Sequence, residues 1–359
     1  MHYLVTGGAG FVGSHVVLAL RDAGHSVVVF DNLSTGHRAA LPPDVPLIVG
    51  DLSDHALLNA VLECERFDAV LHFAALSLVG DSMRAPFTYL RHNYLNSLQL
   101  VELCVRHSIR RFVFSSTAAL FGTPEQQPIM EDATVNPGSP YGESKFLIER
   151  VLHWAEKIHG LHSACLRYFN AAGSDPAGRA GEDHRPETHL IPLAIDTALG
   201  RRPGLSIFGS DYPTPDGTCL RDYIHVTDLA NAHLAALEQI GTRSVTYNVG
   251  NTTGFSNLEV VRSVERVTGR RIEWCRADRR PGDPAILIAG SERLRKETGW
   301  TPHITALDDI VDTAYRWRLA HPDGYATLPC VQDAREEILP VPPFPVSPVA
   351  AAMHRPTPP

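Results

Sequence analysis

The sequence predicts an α/β fold: a doubly wound parallel sheet with a smaller C-terminal α/β lobe. Three observations carry that reading. Short apolar runs at residues 3–6, 26–31, 69–73 and 111–115 alternate with helical patterns, the first of these at 13–23, and such alternation builds parallel sheets with crossover helices. A glycine-rich segment joins the first apolar run to the first helix. Beyond about Asn170 a Gly/Pro-rich stretch at 173–186 breaks the alternation and shorter elements follow, which marks a second lobe. Residues 1–172 are therefore expected to form the sheet domain, with a returning segment near 224–250, and residues 173–326 the smaller lobe. The Pro-rich stretch 327–359 is expected to be a mobile tail, because its composition buries little.

Composition narrows the class of partner. With 359 residues, 44% hydrophobic and 20% charged, the chain builds a large core without disulfide or metal staples. A net charge of -8 argues against neutralisation of nucleic-acid phosphates, so a small-molecule partner is expected and no nucleic acid. The six cysteines (Cys64, Cys104, Cys165, Cys219, Cys275 and Cys330) show no CxxC spacing, which suits reduced thiols in the cytoplasm. The chain runs from Met1 directly into its first strand pattern, and no apolar stretch approaches membrane-spanning length. A cytoplasmic location without a membrane partner is the expectation.

Each element of the first half carries a chemical implication. Thr6-Gly7-Gly8-Ala9-Gly10-Phe11-Val12-Gly13 follows the first strand and opens the first helix. Backbone N–H groups and the positive helix end then face a pyrophosphate, and glycine removes the side chains that would block its approach. Gly8, Gly10 and Gly13 satisfy the GxGxxG spacing of a Rossmann-type fold; Gly7, Gly10 and Gly13 satisfy GxxGxxG. Asp31 ends the next apolar run, where a carboxylate bonds adenosine ribose hydroxyls and repels a 2′-phosphate, so NAD is the expected cofactor. Asn32, Asp51 and Leu52 are further candidates at the adenosine.

Ser139-Pro140-Tyr141-Gly142-Glu143-Ser144-Lys145 reads as an N-cap, a Pro in the first helical position, and a Tyr and Lys one turn apart on one face. A free tyrosine has a pKa of ~10, so service as a base near neutral pH requires roughly 4 kcal/mol of preferential phenolate stabilisation. Lys145 and an oxidised nicotinamide supply a field of that sign. The strand pattern before it ends in Ser115-Ser116-Thr117, at the sheet edge where open parallel sheets place ligands.

These motifs, with His72-Phe73-Ala74-Ala75, Leu166-Arg167-Tyr168-Phe169-Asn170, the segment 208–218 and Arg221-Asp222-Tyr223-Ile224-His225-Val226, make the chain resemble the UDP-glucose 4-epimerases of the extended short-chain dehydrogenase/reductase family, in the same order and over nearly everything before the tail. The resemblance implies an isomerase that uses NAD to oxidise a UDP-sugar at C4, lets the 4-keto sugar turn over, and returns the hydride to the opposite face. It implies Tyr141 as base, Lys145 as holder of the nicotinamide ribose and Thr117 at the reacting hydroxyl. Gly7, Gly10, Phe11, Val12, Gly13, Asp31, Asn32, Asp51, Leu52, Phe73, Ala74, Ala75, Asn93, Ser115 and Tyr168 complete the implied cofactor site. Asn170, His189, Leu190, Phe208, Arg221, Arg280, Asp283 and Leu287 fall where relatives hold the UDP-sugar. Guanidiniums at 221 and 280 suit a diphosphate through planar, charge-assisted bonds. A homodimer through helices around 89–107 and 143–159 is implied as well.

Departures from the family pattern are few. Ser77 stands where some relatives carry lysine, His189 replaces asparagine, and Phe121 replaces tyrosine. Related 4,6-dehydratases place Asp-Glu directly after the active-site Thr, where this chain has Ala118 and Ala119, so the elimination chemistry lacks its acid and base there. Epimerisation of UDP-GlcNAc, UDP-arabinose or UDP-glucuronate is the nearest alternative, and a catalytically silent NAD-binding protein a more distant one. His184 and His189 lie among Glu182, Asp183 and Glu187, but in a Pro-interrupted loop without HExxH spacing, so no metal is expected.

Overall fold

The run Ser26–Asp31 is nearly all β-branched or aromatic, and every residue after Ser26 is buried. Such side chains are stiff at χ1 and suit a strand covered on both faces. Its alternate residues serve two different cores: Val27 and Val29 join one cluster, Val28 and Phe30 the other. That is the two-residue side-chain period of a strand. A computed structural model describes residues 1–280 and 283–325; the tail at 327–359, with Cys330, and Gly282 lie outside the described residues.

Seven strands form the main sheet: β1 (His2–Thr6), β2 (Ser26–Asp31), β3 (Leu47–Val49), β4 (Ala69–His72), β5 (Arg111–Thr117), β6 (His162–Tyr168) and β7 (Val245–Val249). Their order is β7-β6-β5-β4-β1-β2-β3, with every pairing parallel. The helices Phe11–Asp22 and Val226–Gln239 cover one face, placing Val16, Leu20, Leu229 and Ala236 against Val5, Val29, Leu71 and Val113. His55–Cys64, Asn96–Arg106 and Pro140–His159 cover the other, with Leu58, Leu100, Ile148 and Leu152 against Leu4, Val70 and Phe112. Each of these side chains larger than alanine contributes about 1.5–3 kcal/mol by leaving water. The chain departs from β1 in opposite directions to β2 and β4, so a crevice opens beyond the carboxyl ends of β1 and β4.

The helices Leu190–Ala198, Asn257–Thr268 and Leu307–Ala320 share a separate core that includes Ile191, Ile195, Val260, Val264 and Ile310. Strand Leu220–His225 connects it to the main sheet: it pairs with Asn170–Ala172, which leaves β6 after one residue, and with Gly254–Ser256 and Ile286–Leu287. Asp222 in that strand is buried and accepts from the backbone N–H groups of Asn251, Thr252 and Ala289. Among the described residues no helix is long and apolar enough to cross a membrane, and the five described cysteines are free thiols.

Candidate active site

The cradle begins where β1 ends. Gly7 has φ 72°, and a Cβ there would lie 2.3 Å from the backbone nitrogen of Ala74, so only glycine lets the turn press against the chain leaving β4. Gly10 is the N-cap of helix Phe11–Asp22 and brings no side chain to its first amides. A Cβ at Gly10 would meet only the Gly7 carbonyl, at 3.4 Å, so the space before the positive helix end is open to an anion. Asp31, at the end of β2, accepts from Ala9 N at 2.9 Å and Leu33 N at 2.8 Å, and burial pushes its carboxyl upward. Asn32 Nδ2 donates to Asp51 at 2.6 Å. Burial opposes ionisation of Asp51, but bonds from Ser53 and Asn32 prevail and hold it below the usual carboxylate range.

The reactive set sits at the end of β5. Helix Pro140–His159 starts on the Ser139 cap, whose Oγ accepts from Gly142 N at 3.2 Å. A Cβ at Gly142 would stand 2.6 Å from the Ala119 carbonyl oxygen, so this glycine lets the first helical turn abut the turn that follows Thr117. Tyr141 is thereby brought to the Thr117 hydroxyl. Burial raises the phenol pKa, the bond with Thr117 lowers it, and the neighbouring Tyr89 raises it. Lys145 is buried, donates from Nζ to the Ser115 carbonyl at 2.9 Å, and is pushed down to about 7 by burial. The Ser115 and Tyr168 hydroxyls bond each other at the same strand ends.

One continuous cleft takes in most of the residues singled out in the sequence. Gly7, Gly10, Phe11, Val12, Gly13, Asp31, Asn32, Asp51, Leu52, Phe73, Ala74, Ala75, Ser115 and Tyr168 line its cofactor side. Thr117, Tyr141 and Lys145 stand at its middle, and Asn170, His189, Arg221 and Leu287 line the remainder. Five candidates do not line it. Asn93 is fully buried and exchanges bonds with the Leu76 backbone, at 2.8 and 2.9 Å, and with Ser144, so it supports the loop after β4 from beneath. Leu190 starts its helix, Asp283 pairs with Arg221, and Arg280 stacks on Phe208 with its guanidinium carbon 4.2 Å from the ring centroid. Ser77 lines the cleft, whereas Phe121 is buried in a small core beside Leu287.

The structure also adds residues the sequence reading did not name. Tyr89 and Arg185 line the cleft, and neither belongs to a motif that would have marked it. Glu182, His184, Glu187 and His189, spaced unlike a helical metal motif, come together with one ligand-type atom of each within 4.8 Å of the others.

Comparison with known proteins places these features in context. Residues 3–250 match the model of a family described as the NAD dependent epimerase/dehydratase family. A UDP-glucose 4-epimerase of Azospirillum brasilense is 52% identical over 316 residues, covering 88% of this chain and 91% of that one. One from Halalkalibacterium halodurans is 48% identical over 329 residues, covering 91% and 98%. The crystal structure of the Bifidobacterium longum UDP-glucose 4-epimerase in complex with NAD+ and UDP superposes with a TM-score of 0.86 at 34% identity, covering 90% of this chain and 100% of that one.

Proposed function

The chain belongs to the NAD dependent epimerase/dehydratase family, and from that premise we propose that it is an NAD-dependent isomerase interconverting UDP-glucose and UDP-galactose. The observation that carries the reading is the meeting of Thr117, Tyr141 and Lys145 in one cleft that joins the open helix end at Gly10 to Asn170 and Arg221.

The uncapped helix end fits a pyrophosphate, and Asp31 stands where ribose hydroxyls would reach it. Held there, NAD would supply the redox chemistry, a reversible hydride acceptor for the sugar C4. The chain's own part is proton handling and positioning. Tyr141 takes the proton of the 4-hydroxyl and returns it. Thr117 donates its one hydroxyl proton to the oxygen of that hydroxyl and so orients it. Lys145 brings positive charge to the phenolate and a donor to the nicotinamide ribose. Arg221 suits the diphosphate through its planar fork, with Asn170, His189 and Leu287 flanking the sugar between them.

Elimination of water from the sugar is disfavoured on this chain, because Ala118 and Ala119 follow Thr117 where an acid and a base would have to stand. The same reading makes the protein cytoplasmic and homodimeric, the dimer formed through helical segment 86–106 and helix Pro140–His159. Purified protein offered UDP-galactose, UDP-GlcNAc, UDP-arabinose and UDP-glucuronate is expected to convert UDP-galactose to UDP-glucose fastest. Faster turnover of any other member of that panel would reassign the substrate, and inertness toward all of them would remove the proposal.

A further inference from the structure

The loop that leads into helix Leu190–Ala198 draws together two imidazoles and two carboxylates from a stretch of eight residues. Glu182 is 4% exposed, so a charged side chain has been taken almost wholly out of water. Its Oε1 lies 2.7 Å from His189 Nδ1 and 3.2 Å from His184 Nδ1. Glu187 Oε1 accepts from the backbone N–H groups of Thr188 and His189, at 2.8 and 2.9 Å. Its other oxygen, Oε2, lies 3.8 Å from His184 Nδ1.

Proximity here does not amount to hydrogen bonding. Glu182 Oε1, His184 Nδ1 and Glu187 Oε2 are all buried, and none has a hydrogen-bond partner. Buried polar atoms are otherwise satisfied almost without exception, and a buried unpaired carboxylate oxygen is costly. The lone pairs of all four residues converge on one small volume, their atoms within 4.8 Å of one another. The four donors of a tetrahedral ion with bonds of about 2.1 Å stand about 3.4 Å apart. Three of the separations, 2.7, 3.2 and 3.8 Å, bracket that spacing, and the whole set lies within 4.8 Å.

We propose that Glu182, His184, Glu187 and His189 form a binding site for a divalent transition-metal ion, zinc foremost. Two imidazole nitrogens favour such an ion over magnesium or calcium, which prefer all-oxygen sets. The role is structural. The ion ties the loop from the sheet domain to the start of helix Leu190–Ala198, and it fixes the cleft-facing imidazole of His189 in one tautomer and orientation. His184 also packs edge-on against Phe11, ring centroids 6.1 Å apart, at the first residue of the helix that cradles the dinucleotide. The ion therefore stands between the two halves of the cleft. The sequence conceals it because the ligands follow no helical period and converge only when the loop folds back on itself.

The test uses the full chain, stripped with a chelator and then titrated with zinc, magnesium or cobalt(II) by calorimetry, with metal content read by plasma mass spectrometry. The expected result is about one zinc per chain, a thermal midpoint that rises and saturates at that ratio, magnesium binding at least ~100-fold weaker, and intense visible bands with cobalt. His184→Ala should lose at least ~10-fold in zinc affinity, and Glu187→Gln should also weaken it. The Glu187 variant and the cobalt spectrum stand in if the His184 variant fails to fold. Absence of saturable zinc binding, or unchanged affinity in the folded variants, would overturn the site. None of these readouts uses turnover, so the substrate assignment stands or falls separately.

Discussion

The Lys145 ammonium lies 5.9 Å from the centroid of the Tyr141 ring, and its hydrogen bond goes not to that phenol but to the Ser115 carbonyl. Lysine thus makes no direct hydrogen bond to the tyrosine hydroxyl. Burial alone drives the two groups the wrong way for catalysis, the phenol up and the ammonium down. A positively charged nicotinamide at the same strand ends would reverse the balance for the phenol. Tyr141→Phe is accordingly expected to leave NAD and UDP binding largely intact while lowering turnover at least ~100-fold. Steady-state kinetics beside calorimetry of the two ligands check this, and near-normal turnover would exclude Tyr141 as the base.

Asp31 offers a carboxylate at the end of β2, held by two backbone amides so that it cannot swing away from a ligand. NAD is expected to bind much more tightly than NADP, whose 2′-phosphate meets that charge. Asp31→Ala should narrow the gap. Equal affinities of the parent protein for the two cofactors, measured by calorimetry, would contradict this.

Leu287 lines the cleft near the reactive set, packed beside Phe121. Its size leaves more room than a tyrosine would, so weak UDP-GlcNAc turnover is expected beside the main UDP-glucose/UDP-galactose activity, and Leu287→Tyr should remove the former selectively. If UDP-GlcNAc turnover is unaltered in that variant, or absent from the parent, specificity lies elsewhere, with His189 the next residue to test.

Three buried histidines set an acid limit. Burial, with Lys145 nearby, pushes His72 down to about 3; burial pushes His233 to about 4; and burial, with the charge of His15, pushes His225 to about 3. In the unfolded chain each titrates near 6.5. Between that value and 3–4 the unfolded chain binds protons that the native protein refuses, so stability is fully present above the unfolded pKa and falls as pH drops below it. Asp222, raised by burial to about 6, offsets part of the loss. Urea unfolding at pH 5 should therefore give a free energy lower than at pH 6.5 by on the order of 2–4 kcal/mol. Equal stabilities at the two pH values would mean that these imidazoles are not buried neutral.

Phe87 and Leu95 on segment 86–106, and Trp154 and Ile158 on helix Pro140–His159, are exposed apolar side chains on neighbouring elements. A dimer that covers them is expected in light scattering at micromolar concentration. Joint Trp154→Glu and Ile158→Glu substitution should yield monomer with the fold retained by circular dichroism; a monomeric parent would refute the interface.

Where chemistry depended on spacing within one regular element, the sequence by itself determined it. The glycine run at the mouth of a helix, Asp31 at the end of a valine strand, and Tyr141 and Lys145 one turn apart are local facts, because helix pitch and strand alternation set relative directions over a few residues. Tertiary structure decided the remainder. It directed Asn93 beneath the loop after β4 instead of into the cleft, paired Asp283 with Arg221, and stacked Arg280 on Phe208. It also gathered Glu182, His184, Glu187 and His189 from an irregular loop. In such segments no period relates one side chain to the next. Their directions come from long-range pairings, such as β5 with β6 and Leu220–His225 with Asn170–Ala172, that exist only once the whole chain has folded.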